Sequence, residues 1–140
     1  MTGHIPPPLI LDTTVLRELA RGDVDMIGLI QAYDAEGQPL VVPTLAIAHV
    51  LLDTRTEAAV DAIHGLAMLE RVTVAPLRDV EQATSLAAVM ASTGLAVWDA
   101  QVAAIADVSV CPILTRDAAA WRGPSAALDQ PLFVIEVADP

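Results

Sequence analysis

Asp12, Asp99 and Asp117 are the side chains whose types and positions can do chemistry together. Asp12 directly follows the apolar run Pro8-Leu9-Ile10-Leu11, and Asp117 lies two residues past Pro112-Ile113-Leu114-Thr115. Asp99 falls in the first turn of a helix predicted over Val97–Asp107. Runs of this kind read as strands, and parallel strands deliver their carboxyl ends to one sheet edge, where ligands gather. Singly, each acid has a simpler role. Asp12 and Asp117 suit helix caps, and Asp99 suits the positive end of a helix dipole. Converging, the three would raise one another's pKa unless a cation neutralised them. Magnesium, a hard ion, takes one or two carboxylates plus waters, and such an ion can polarise a phosphoryl oxygen and activate water.

The elements that must position these acids are legible as short apolar runs alternating with helical-period segments. Strands are predicted at Pro8–Leu11, Leu40–Val42, Val72–Val74, Pro112–Thr115 and Leu132–Val137. Thr13 or Thr14 is expected to cap a helix to about Arg21, and Asp23 a helix reaching Glu36-Gly37. Thr44 is expected to cap a mostly apolar helix to Asp53, and Thr56-Glu57 opens another ending near Glu70. Helices over Asp79–Ser92 and Val97–Asp107 follow, separated by Thr93-Gly94. Strands apolar on both faces and separated by helices predict an α/β fold: a three-layer α/β/α sandwich on a five-stranded, mostly parallel sheet. Without internal repeat or linker, residues 1–140 read as a single domain.

Composition narrows the partners. Of the 140 residues 54% are hydrophobic but only 3% aromatic, so the core must be aliphatic. A mean hydropathy of +0.55 excludes a disordered chain. The net charge is -11, and all seven basic residues are arginine. That balance argues against a broad basic surface for nucleic acid. A metal-filled acidic site would invert the field locally, so acidity narrows a phosphate-binding role without excluding it. Gly37–Leu52 and Gln82–Trp98 lack charge but fall short of about 18 clean apolar residues, and Met1–Pro8 has no signal-peptide pattern. A cytoplasmic, soluble protein is expected.

Four segments carry a resemblance to a known family. Leu9-Ile-Leu-Asp-Thr-Thr-Val-Leu16, Val42-Pro-Thr-Leu-Ala-Ile-Ala-His-Val50, Trp98-Asp-Ala-Gln-Val-Ala-Ala-Ile-Ala106 and Leu114-Thr-Arg-Asp-Ala-Ala-Ala-Trp121 occur in PIN-domain order and spacing. Nearly the whole chain resembles the small bacterial PIN proteins, of which the VapC-type toxins of toxin–antitoxin pairs are best known. The resemblance implies a PIN-like endoribonuclease dependent on Mg2+ or Mn2+. Asp12, Asp99 and Asp117 would hold the metal, and Thr115 would be the hydroxyl beside the last acid. It also implies an RNA substrate, an antitoxin partner whose C-terminal segment covers the groove, and a homodimer. His49 departs from the pattern, standing where the family usually has glutamate. Imidazole suits softer metals than magnesium. Asp53 lies one helical turn beyond His49 on the same face, and can supply the missing carboxylate or pair with His49. The alternative is therefore a catalytically silent PIN-like binding or regulatory module.

The remaining candidates have ordinary readings beside functional ones. Arg116 can contact phosphate or pair with a nearby acid. Trp98 and Trp121 flank the two late acids and suit core or rim positions, with base stacking as the functional option. His64 reads as a packing or surface residue, His4 as an exposed terminal one, and Cys111 as a small buried hydrophobe.

Overall fold

The computed structural model describes residues 5–138, so His4 lies outside the described residues. The chain alternates strands and helices: β1 (Leu9–Leu11), α1 (Thr13–Ala20), α2 (Val24–Ala35), β2 (Leu40–Pro43), α3 (Thr44–Asp53), α4 (Glu57–Ala67), β3 (Val72–Ala75), α5 (Val80–Thr93) and α6 (Val97–Ser109). It continues through β4 (Ile113–Thr115), a 3-10 turn (Ala118–Trp121), α7 (Arg122–Ala127) and β5 (Val134–Glu136). The five strands form one sheet in the order β3-β2-β1-β4-β5, and every pairing is parallel. This is the α/β sandwich the sequence predicts.

Strand burial follows that order. β1 and β4, in the middle, are buried at every residue, and Ile10, Leu11, Ile113 and Leu114 form the centre of the core. The edge strands β3 and β5 are largely half-buried or exposed. The chain steps from β1 outward to β2 and β3, then returns to place β4 on the other side of β1. Right-handed crossovers on either side of that reversal put helices on both faces. The reversal leaves a crevice between the ends of β1 and β4, the place where ligands gather in open parallel sheets.

Two helix starts and one segment differ from expectation. Asp12, rather than Thr13 or Thr14, caps α1, because its carboxylate accepts from the N–H groups of Thr14 and Val15. At α3 no side chain of its own caps the helix. The buried Gln101 of α6 takes that role from a distance, its Oε1 accepting the Leu45 N–H at 2.9 Å. The 3-10 turn and α7, the latter containing Gly123 and Pro124, were not expected. Proline is tolerated there because first-turn N–H groups lack helical partners anyway. Asp23 and Thr56 cap their helices as the sequence suggests, and Asp79, expected as the first residue of its helix, caps it. α5 ends on Gly94 at φ +72°, a left-handed position that suits glycine.

Cys111 is buried, as expected, and burial pushes its thiol pKa up, away from reactivity. His64 is exposed on α4. Among the described residues no single helix is long and apolar enough to cross a membrane.

Candidate functional site

The crevice is built from the ends of β1 and β4 and the start of α6. β1 terminates at Leu11, and the extended backbone of Asp12 (φ -88°, ψ -179°) turns its carboxylate back over the first turn of α1. Oδ1 accepts three hydrogen bonds: from Thr14 N at 2.9 Å, Val15 N at 3.2 Å and the Thr14 hydroxyl at 2.5 Å. Oδ2 accepts the indole N–H of Trp121 at 3.0 Å. Asp12 is only 2% exposed and Trp121 only 4%. Four donors therefore surround one buried carboxylate.

The end of β4 is tied into the same network. Thr14 has one hydroxyl hydrogen, which it gives to Asp12. The 3.2 Å contact between the Thr14 and Thr115 hydroxyls must then run from Thr115 to Thr14. The Arg116 N–H also donates to Thr14 Oγ1, at 2.8 Å, and the Asp117 N–H donates to Thr115 Oγ1, at 3.0 Å. Thr115, fully buried, thus sits beside the last acid as expected, and it works as a backbone anchor.

Asp99 lies half-buried in the first turn of α6. Thr13 donates its hydroxyl to Asp99 Oδ1 at 3.2 Å, and no donor among the described residues reaches Oδ2. Burial raises the Asp99 pKa above its ordinary 3.8; the Thr13 hydrogen bond opposes the rise, Asp12 adds to it, and His49 and Arg17 pull against it. Asp12 and Asp99 therefore feel each other's charge. Asp117 is not among the charges that Asp99 feels. It is exposed and caps the 3-10 turn, accepting from Ala120 N at 3.3 Å.

The other expected participants have other partners. His49 of α3 stacks on Trp98, with ring centroids 4.0 Å apart and planes 3° from parallel. Asp53 pairs with Arg17 of α1, Oδ2 to Nε at 3.3 Å, and not with His49. Arg116 lies 3.7 Å from Glu18 in an ion pair. Sequence reading missed the partners more than the acids: Thr13, Thr14, Arg17 and above all Trp121. The one available signal for Trp121 was its place four residues after Asp117, in the turn that follows the strand set beside β1.

The arrangement does not fit the metal implied by the resemblance. A hydrated hard cation needs accessible carboxylate oxygens with unused lone pairs. Asp12 is enclosed and surrounded by donors, Asp117 is committed to a cap, and the glutamate position holds a stacked imidazole. Among the described residues, Asp99 and Asp117 each keep one oxygen without a protein donor, but Asp117 is not among the charges that Asp99 feels. Among the described residues no three His, Cys, Asp or Glu side chains come together as a metal-holding group.

No family model and no curated protein matches this chain. Solved structures do. VapBC2 from Rickettsia felis, bound to a DNA fragment from the promoter of its genes, aligns over 92% of this chain and 98% of that one, at 12% identity and a TM-score of 0.63. FitAcB from Neisseria gonorrhoeae aligns over 89% and 96%, at 18% identity and a TM-score of 0.55. PAE2754 from Pyrobaculum aerophilum aligns over 91% and 83%, also at 18% identity and a TM-score of 0.55. At these identities the likeness is one of fold.

Proposed function

We propose that this chain is a PIN-like protein of the toxin–antitoxin kind that acts by binding a protein partner. The observation that carries the reading is the shared fold over nearly the full length of a VapBC2 chain. Charge gives the partner's chemistry. With a net charge of -11 and no lysine, this chain suits a basic segment. The surface offers a place for it: a groove between α1, α2 and α4 lined by half-buried Ile27 and Leu69, with the core residues Leu19, Ile30 and Leu66 beneath. α2 and α4 carry Asp25, Asp34, Glu57 and Asp61 and no arginine or lysine. An amphipathic helix with basic flanks matches both features.

The test is to co-express the chain with the product of the neighbouring open reading frame and follow the complex by size exclusion with light scattering. A stable complex is expected. Gln31→Arg, at the exposed lip of the groove, should weaken it roughly tenfold through like charge. Two proteins that stay separate at micromolar concentration would contradict the reading. The same measurement on the chain alone tests the homodimer.

RNA hydrolysis with Mg2+ or Mn2+ at Asp12, Asp99, Asp117 and Thr115 is the second reading. One observation favours it: the raised carboxyl of Asp99 beside Asp12, which a cation would neutralise. Its test is RNA cleavage in Mn2+ compared with an Asp99→Asn variant. The binding-module reading expects no difference between the two, and cleavage lost in the variant would favour the nuclease.

A further inference from the structure

The indole N–H of Trp121 is a donor only, it is buried, and the Asp12 carboxylate accepts it at 3.0 Å. The remaining oxygen of that carboxylate is filled by the first turn of α1 and the Thr14 hydroxyl. Asp12 is only 2% exposed, so an ion could reach Oδ2 only by moving the buried indole aside, which would leave its N–H buried without an acceptor. We propose that Trp121 is a latch on the crevice between β1 and β4: by holding Asp12 as an anchor joining β1, α1 and the 3-10 turn, it excludes a divalent cation from the position where the fold otherwise presents one. This deepens the binding-module reading above and fails separately from it, because partner binding is measured without metal.

The geometry gives the latch two consequences. The first is that the excluded ligand is a hydrated hard cation, which needs an accessible carboxylate oxygen where the buried indole sits. The second is that Asp99 stays available. Its Oδ2 has no protein donor among the described residues, so freeing Asp12 would leave two neighbouring carboxylates, as many as magnesium or manganese ordinarily takes from protein.

Trp121→Phe keeps an aromatic ring in the core and removes only the polar end. Calorimetric titration with MnCl2 should show no saturable binding to the wild type up to about 10 mM. Trp121→Phe should bind at least tenfold more tightly, and adding Asp99→Asn should remove that gain. Circular dichroism first establishes that each variant is folded. Saturable submillimolar binding to the wild type, lost in Asp12→Asn, would overturn the latch. So would the absence of binding to a folded Trp121→Phe protein, since the indole would then not be what keeps the ion out. The wild-type titration decides against or for the exclusion even if Trp121→Phe does not fold.

Discussion

Asp12 and Asp99 carry the same carboxylate on adjoining elements, and the fold treats them in opposite ways. Asp12 is enclosed by four donors drawn from α1 and Trp121. Asp99 has one donor, Thr13, and is left partly desolvated beside another negative charge. The difference teaches that position at a strand end does not make an acid reactive; the donors around it decide. Asp12 contributes to stability, whereas the charged form of Asp99 costs stability.

Four substitutions can break or sharpen this contrast. Asp12→Ala should have the largest effect, about 3 kcal/mol of destabilisation in urea unfolding, because it removes a helix cap and leaves the buried Trp121 N–H without an acceptor. Trp121→Phe should cost about 2 kcal/mol in the same measurement, from the lost hydrogen bond to a buried carboxylate. Asp117→Ala should cost about 0.5–1 kcal/mol by thermal unfolding, since this acid caps a single exposed turn. If Asp117→Ala matched Asp12→Ala, the two strand ends would be equivalent and the contrast would fail.

Asp99→Asn should give the smallest change, and it should be favourable. A carboxyl whose folded pKa is raised holds more protons folded than unfolded. Stability therefore falls as pH rises from the ordinary 3.8 through the folded value, and the full cost is present above it. Asparagine keeps an oxygen for Thr13 and removes the charge. Urea midpoints should favour Asp99→Asn at neutral pH and converge with wild type towards pH 3.8. A variant less stable than wild type at pH 7 would show that Asp99 is as well satisfied as Asp12.

Much of the fold was legible because it rests on local pattern. Pro8–Leu11 and Pro112–Thr115 are apolar at almost every residue, as buried parallel strands require, and the caps at Asp23, Thr56 and Asp79 act within their own helices. What escaped depends on long-range partners. Gln101 caps α3 from 56 residues away, and Trp121 meets Asp12 across 109. The acids were visible at the strand ends, and so was the departure at His49. Its stacking on Trp98 was not, because no spacing rule places α3 against the start of α6.

The most direct test compares the two indoles, Trp98 at the half-buried stack and Trp121 at the enclosed carboxylate. In a proton–nitrogen correlation spectrum, with each indole signal assigned by substitution, the Trp121 N–H should exchange slowly with deuterium. It should also stay unmoved as Mg2+ is added in large excess. A Trp121 signal that exchanges as fast as that of Trp98 and shifts on saturation with Mg2+ would contradict the closed crevice.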